Sequence, residues 1–321
     1  MKFGLHFHVQ KGEIMNETVG KKTKLNKTKR MRAIFIASFL IWPALQLFVF
    51  YFVVNFQSIL MAFQKSIPGT TDMYWTLDNF KRIFVEGFSG GEPLLKQATI
   101  NTLIFFSFNF FVLTPLNLMI GYFFYKKMPA YKVFRFIFYL PAIIPVTVLA
   151  TLFKYIIAPD SSGLIASFLA QMGISMPNLL GSSDYAMKTM LVYTAWTGFT
   201  GFLLTTNAMR RVPEEVVESA TLDGVSPIQE VVYILVPLIW PVIATSLLLS
   251  VMNIFTSSGP ILFFTQGNFG TYTISYWLFE KVMTGTNMEY AAAVGIFYTL
   301  IGFPILWITR WLSKRVKEVE Y

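Results

Sequence analysis

The sequence predicts an all-α, polytopic membrane protein with six transmembrane helices and both termini on the cytoplasmic side. Three observations carry this prediction. Of 321 residues, 55% are hydrophobic and only 13% charged, with a mean hydropathy of +0.55. Soluble domains hold roughly 45–50% apolar residues and about a quarter charged, so an apolar surplus of this size cannot all be hidden inside one globule. Six stretches are long and apolar enough to cross roughly 30 Å of hydrocarbon as helices. Finally, Lys and Arg concentrate on one side of the membrane those stretches imply.

The spans fall at about 33–58, 99–125, 134–158, 188–208, 237–258 and 290–311. None contains Asp or Glu, and the basic residues within them (Arg135, Lys154, Lys188 and Arg310) sit near ends. Barrel strands would be short and alternating, whereas these stretches are continuously apolar. An even number of spans places both termini together. With that side cytoplasmic, nine Lys and Arg lie in 1–32, four in 126–135, two in 209–236 and four from Arg310 onward. Only Lys65, Lys81, Arg82, Lys96, Lys154, Lys188 and Lys281 are left outside. The net charge of +9 therefore follows from topology and anionic lipid, and nucleic acid is not a partner.

Residues 1–32 read as a basic cytoplasmic tail with a dense run from Lys21 to Arg30. The apolar stretch after it is too long for a signal peptide and lacks a small-x-small cleavage site, so it reads as a retained first span. Residues 33–94 are then the first transmembrane helix and an extracytoplasmic loop. The outer loops, at about 59–98, 159–187 and 259–289, carry the turn formers Pro68-Gly69, Gly90-Gly91 and Pro159-Asp160. Pro115 in the second span, Pro141 and Pro145 in the third and Pro304 in the sixth free backbone carbonyls and predict kinks. Residues 313–321 form a cytoplasmic C-terminus.

What the chain lacks narrows its chemistry. It has no Cys, and its two His are His6 and His8 in the tail. Ion-coupled carriers rely on intramembrane carboxylates or His as relays, and the spans hold none. No G-x-x-x-x-G-K-[ST] motif occurs, so the chain binds no ATP through a loop of that kind. No zinc site or Ser–His arrangement is present for intramembrane hydrolysis. Catalytic, metal and cofactor sites are not expected in this chain, and it is not read as an enzyme.

One cytoplasmic loop, 210–237, departs from the basic pattern. Glu214, Glu215, Glu218, Asp223 and Glu230 outnumber Arg210 and Arg211. Its local signals describe two short helices. Pro213 fits a first helical position, and Glu214 and Glu215 suit the positive end of the helix dipole. Gly224 falls where a helix stops in a left-handed turn. Ser226 with Gln229 forms a capping-box pattern, with Pro227 at the next first position. From these signals alone, a rigid element presented to the cytoplasm and a loop lying on the headgroups are both open.

The spacing adds to this. Glu218-Ser219-Ala220, three residues, Gly224, nine residues, then Ile234-Leu235-Val236-Pro237 resembles the E-A-A–x3–G–x9–I-x-L-P loop of bacterial ABC importer permeases, with Ser219 and Val236 as departures. N-T-L-I-F-F from Asn101, F-R-F-I-F-Y-L-P from Phe134, P-D-S-S-G-L-I from Pro159, Trp196 and V-P-E-E-V-V-E-S-A-T-L-D-G resemble the carbohydrate-uptake, maltose-type branch. The Thr265–Thr273 segment does so with fewer glycines. The resemblance covers roughly 95–312, a permease core of five helices.

The resemblance implies a subunit that forms half of a translocation pathway for a carbohydrate, an oligosaccharide or sugar derivative, in a bacterial inner (plasma) membrane. Its partners would be a second homologous permease, two ATPase subunits that bind ATP and Mg, and an extracytoplasmic solute-binding protein. The 213–235 loop would dock on an ATPase, with Glu214, Glu215, Glu218, Ala220, Asp223, Gly224 and Pro237 as the coupling residues. Glu218 would pair with a basic residue of the ATPase, and Gly224 would allow the sharp turn. A stand-alone carrier or channel, or a permease for glycerol phosphate or a polyamine, stays open as an alternative.

Polar side chains recur on faces of the spans. Tyr193, Trp196, Thr197 and Thr200 share a face of the fourth, and Ser246, Ser250, Asn253 and Ser257 share one of the fifth, beside Thr256. Tyr298 and Thr299 lie near the middle of the sixth. Such residues glue packed membrane helices together. Equally, a hydroxyl-rich ligand needs hydroxyl and amide partners and an aromatic face, for which Trp196 is the stacking candidate. Tyr193, Trp196, Thr197, Ser250, Asn253, Thr256 and Tyr298 are the candidate pathway residues.

Overall fold

The computed structural model describes residues 29–67, 69, 72–88, 93–255 and 260–315. Two compact units divide the chain, Met1–Met61 and Ala62–Tyr321. The run from Lys21 lies, as far as Thr28, outside the described residues, as do Thr256 and Ser257.

The first unit carries helix α1, Lys29–Ala62, which reaches the unit boundary and has a mean hydropathy of 2.2 over its span window. At 1.5 Å per residue it is about 51 Å long, more than a bilayer's hydrocarbon requires. Three of its polar side chains bond within the helix: Ser38 Oγ donates to Phe35 O, Asn55 Nδ2 to Tyr51 O and Ser58 Oγ to Val54 O. Self-satisfaction of this kind is what lipid demands of a polar group.

The second unit opens with an antiparallel hairpin inside the stretch 59–98 that the sequence predicts as an outer loop. Strands β1, Gln64–Ser66, and β2, Met73–Trp75, pair with Lys65 opposite Tyr74. Helix α2, Asp78–Arg82, follows, and buried Asn79 donates to Ala62 O at 3.0 Å and Gln64 O at 2.9 Å. The apolar cluster here joins Leu95, Ala98, Ile274, Trp277, Val294 and Tyr298. Helix α3, Leu94–Tyr125, widens over Phe108–Leu113, just before Pro115. Proline offers no N–H to the preceding turn, and Thr114 Oγ1 donates instead to Asn109 O at 3.0 Å.

The third predicted span is broken. Helices α4, Tyr131–Ile143, and α5, Val146–Ile156, meet at 113°. Ile144 is extended (ψ 134) because it precedes Pro145, whose ring excludes the helical conformation there. The sequence predicted a kink; the structure has a corner. Helix α6, Leu164–Gln171, follows a turn in which the Asp160 carboxylate accepts from the Ser162 N–H (3.0 Å) and hydroxyl.

The fourth predicted span is also divided, into α7, Ala186–Gly198, and α8, Phe202–Met209, by a tight turn over Phe199–Gly201. Glycines flank and close that turn, where the chain passes close to α3. A Cβ on Gly201 would lie 2.9 Å from Asn117, and one on Gly198 2.9 Å from Leu113. Below it α8 packs along α3, where Thr205 Oγ1 donates to Asn117 O (3.0 Å) and Thr206 Oγ1 to Gly121 O (3.2 Å). Small residues and interhelical hydroxyls are the usual means of association where no hydrophobic effect operates.

Helices α9, Glu214–Leu222, and α10, Pro227–Leu238, lead to α11, Trp240–Met252, with an 81° bend between α10 and α11. The short α12, Ile261–Phe264, and α13, Ile274–Thr284, precede the long α14, Met288–Ser313. Trp240 Nε1 donates to Ser313 O at 2.8 Å, tying the start of α11 to the end of α14. Among the described residues three helices (α1, α3 and α14) are long and apolar enough to cross a membrane, or up to five if each bent pair is one span. The outer surface is apolar: Phe136, Leu300 and Phe303 are each about two-thirds exposed, as suits lipid contact.

Candidate functional site

The 210–237 loop folds into the two capped helices its sequence describes, with one shift. Pro213 (ψ 133) is the N-cap of α9 and Glu214 its first residue. The turn into the helix comes one position later than predicted because the Pro213 ψ is still extended. Glu214 and Glu215 fill the first turn; Val217 and Ala220 face inward and Glu218 and Asp223 face outward. Gly224 has φ +75, and Val225 N closes the helix end on Ala220 O at 3.2 Å. A Cβ there would meet nothing within 4 Å, so what the position requires is the left-handed backbone itself. Ser226 and Gln229 complete the capping box, with Ser226 N donating to Gln229 Oε1 at 2.9 Å. Half-buried Pro237 lies near the end of α10, just before the bend. The tip is apolar and open, with Leu222 88% exposed.

Two adjoining cavities lie beside α3, α7, α8 and α11. One, of about 370 Å³, is lined by Thr102, Phe106, Asn109, Thr194, Ser250 and Asn253 among others. The other, of about 410 Å³, includes Asn117, Gly198, Gly201, Thr205 and Ser246, and shares Asn109 and Ser250 with the first. None of the described lining residues is charged. Two donors are satisfied within their own helices, Ser250 Oγ to Ser246 O at 3.0 Å and Asn109 Nδ2 to Phe105 O at 2.8 Å, and Asn117 Nδ2 donates across to Gly198 O at 3.1 Å. Hydroxyl, amide and phenyl groups are the surfaces that a hydroxyl-rich, uncharged ligand would contact.

Of the candidate pathway residues, Ser250 and Asn253 line this space. Tyr193 and Trp196 do not line it: they pack with Phe153 and Phe264, with Tyr193 edge-on to Phe264 at 4.8 Å and Trp196 stacked on Phe153 at 6.0 Å. Thr197 Oγ1 donates to Tyr193 O, and buried Tyr298 shares a short hydrogen bond of 2.5 Å with Thr99. Sequence reading missed Thr102, Asn109 and Asn117. Their spacing of seven and eight along an apolar span puts them on one helical face, a signal that was there to be read.

Above the cavities, the 265–273 segment folds on itself. Thr265 and Thr271 hydroxyls meet at 2.6 Å, and Gln266, Gly267, Phe269 and Gly270 are all left-handed. Asn101 Nδ2 donates to Gly270 O and Tyr272 O, both at 2.8 Å, and Thr102 Oγ1 accepts from Ile274 N at 3.0 Å. The N-T pair that opens the N-T-L-I-F-F motif thus anchors this loop to α3. Burial and the Glu280 carboxylate, which accepts from its hydroxyl at 3.1 Å, push the Tyr272 phenol up to about 12.

A lipid-facing helical chain with uncharged, partly open cavities and a punctuated two-helix loop fits a membrane transport component. Residues 102–318 match the family described as "Binding-protein-dependent transport system inner membrane component", and the chain belongs to that family of inner-membrane permeases. It is 24% identical over 292 residues to the arabinooligosaccharides transport system permease protein AraP of Bacillus subtilis, covering 88% of this chain and 87% of that one. The sn-glycerol-3-phosphate transport system permease protein UgpA of Yersinia enterocolitica is 25% identical over 192 residues, 58% of this chain and 64% of its own. Among solved structures, a chain of a bacterial ABC transporter involved in the import of the acidic polysaccharide alginate superposes with a TM-score of 0.77 at 20% identity. That match covers 90% of this chain and 99% of the other, and shows the same fold. A chain of the alginate transporter in complex with an alginate pentasaccharide-bound periplasmic protein superposes equally well.

Proposed function

We propose that this chain is the permease subunit of an ATP-driven bacterial importer that carries an oligosaccharide or sugar derivative. The family match over 102–318 carries the reading, and relatives named for oligosaccharide transport support it. In this reading the bent pairs α4–α5 and α10–α11 and the divided α7–α8 complete six spans with both termini cytoplasmic. Residues 95–312 are then the permease core. A second permease supplies the other half of the pathway, two partner subunits bind ATP and Mg and hydrolyse ATP, and an extracytoplasmic solute-binding protein delivers the sugar.

The α9–α10 loop is the coupling element. Outward-facing Glu218 and Asp223 and the open Leu222 tip offer an ATPase a contact surface, while Val217 and Ala220 hold α9 to the body. The cavities beside α3 are the pathway, with Asn109, Ser250 and Asn253 on their walls. Their uncharged lining favours a hydroxyl-rich substrate over a phosphate or a polyamine, each of which calls for opposite charge. The experiment is capture of the tagged subunit from its native membrane in mild detergent, with its partners weighed. An ATPase and a second permease in fixed ratio are expected. A lone, stable protein that moves solute along an ion gradient would instead make it a carrier.

A further inference from the structure

Glu230 differs from the other acids of the 210–237 loop. Glu214, Glu215, Glu218 and Asp223 are exposed, whereas Glu230 is 5% exposed. Its carboxylate meets Lys126 Nζ at 2.8 Å and accepts from the Tyr122 hydroxyl at 3.1 Å. Lys126 caps the C-terminal end of α3, where a cation suits the helix dipole. Its ammonium also lies 5.8 Å from the ring centres of both Tyr122 and Tyr125. On the Glu230 side of this cluster Met209, Val212, Val217, Val231 and Leu235 form an apolar shell, while the half-buried Lys126 reaches the surface.

A buried ion pair contributes little net stability compared with apolar residues of the same volume, and its best-attested use is to fix register. Here the two partners lie more than a hundred residues apart in sequence, on different helices. The loop has two covalent routes into the membrane: at its C-terminal end through the 81° bend before Trp240, a poor lever, and at its N-terminal end through 210–213 into α8, which itself packs along α3. The route through the ion pair enters α3. That helix runs unbroken for 32 residues past Asn117 and Asn109 on the cavity walls to Asn101, which holds the 265–273 loop.

We propose that Glu230 and Lys126, with Tyr122, are positioning residues that rivet the coupling loop to α3, so that displacement of the loop reaches the cavity through α3 rather than through the α10–α11 bend. This rests on the reading of the loop as the ATPase-coupling element. Rigid elements moving as one body are a recognised way for a distant switch to act on a site. The coupling residues contact the ATPase, whereas Glu230 is buried against its own chain and acts through α3.

The test uses the intact importer captured from membranes and reconstituted in nanodiscs. The chain has no cysteine, so Lys127→Cys and Ile228→Cys, both at exposed positions, carry its only spin labels. One narrow label-to-label distance is expected, unchanged between the nucleotide-free and the ATP–vanadate-trapped states. In the Glu230→Gln background that single distance is lost and becomes dependent on nucleotide, and the exchanged pair Glu230→Lys with Lys126→Glu restores it. A 127–228 distance that shifts with nucleotide in the otherwise unaltered protein overturns the rivet, and so does a Glu230→Gln distribution identical to it. The labelled Glu230-containing protein answers the question even if Glu230→Gln fails to assemble. A captured preparation without ATP hydrolysis would overturn the coupling reading itself, which hydrolysis with a drifting 127–228 distance would leave intact.

Discussion

The contact between α3 and α8 turns on one missing side chain. A Cβ added at Gly121 would strike the Thr205 hydroxyl and stand 3.0 Å from Thr205 Cβ and 3.3 Å from the Thr206 amide nitrogen. The last of these is backbone, so Gly121→Ala forces the helices apart rather than merely turning a rotamer. Overpacking of this kind costs about 1–3 kcal/mol. The interhelical bonds from Thr205 to Asn117 O and Thr206 to Gly121 O are worth about 0.6 kcal/mol each in a bilayer. Alanine's better helix propensity returns about 1 kcal/mol, which leaves a net loss of about 1–3 kcal/mol. The assay is thermal unfolding of the captured complex in detergent, with Gly295→Ala as control, because a Cβ at Gly295 meets nothing within 4 Å. Gly121→Ala should melt several degrees lower while Gly295→Ala is unchanged or slightly stabilised. Equal melting of the two variants would refute the close-contact argument.

Three further outcomes follow from the same geometry. Gly224→Val, which places a β-branched residue at φ +75, and Glu218→Lys, which reverses an outward charge, should each abolish coupled ATP hydrolysis while membrane insertion persists; normal stimulated hydrolysis in both would remove the coupling assignment. Asn101→Ala deletes two 2.8 Å hydrogen bonds to the 265–273 loop and should cost about 1–3 kcal/mol through the unpaired carbonyls, with faster proteolysis of that loop as the readout. Ser250→Leu with Asn253→Leu should fill the cavity and lower uptake at least tenfold with the ATPase still bound, whereas Tyr193→Phe should leave uptake within about twofold, since its hydroxyl has no hydrogen-bond partner among the described residues.

Much of the membrane-embedded fold was legible because lipid permits so few solutions. α1, α3 and α14 stand where uninterrupted apolar runs stood, since a long apolar segment in hydrocarbon has little choice but to be a helix. The 210–237 loop was readable almost residue by residue, because Gly224, Ser226, Pro227 and Gln229 act on their immediate neighbours and local rules suffice. Hydropathy sees composition and not direction, so it could not show that Pro145 turns the third span through 113°. It could not divide the fourth span at Gly198 and Gly201 either, where the reason lies across the interface in Leu113 and Asn117. The hairpin at 64–75 was hidden for a different reason: three-residue strands carry too short an alternation to register.

The candidate site was less legible than the fold. Polar faces on α7 and α11 were visible, but which face meets a cavity and which meets a neighbouring helix depends on rotation that periodicity leaves open. Tyr193 and Trp196 turned into an aromatic cluster with Phe264, while α3, from which the sequence offered no pathway candidate, supplied Asn109 and Asn117 to the cavity walls. Glu230 reads in sequence as one more acid of an acidic loop. Its burial follows from the apolar V-V-Y-I-L run behind it, which draws α10 onto α3 and brings the carboxylate to Lys126.

Energised uptake tests the central claim most directly. The captured complex, reconstituted in liposomes with its solute-binding protein and a panel of radiolabelled neutral oligosaccharides, should accumulate at least one of them only when ATP is present with the ATPase subunits, and collapse of the proton and sodium gradients should leave the rate unchanged. Accumulation without ATP that stops when an ion gradient is collapsed would contradict the account and identify the chain as a carrier.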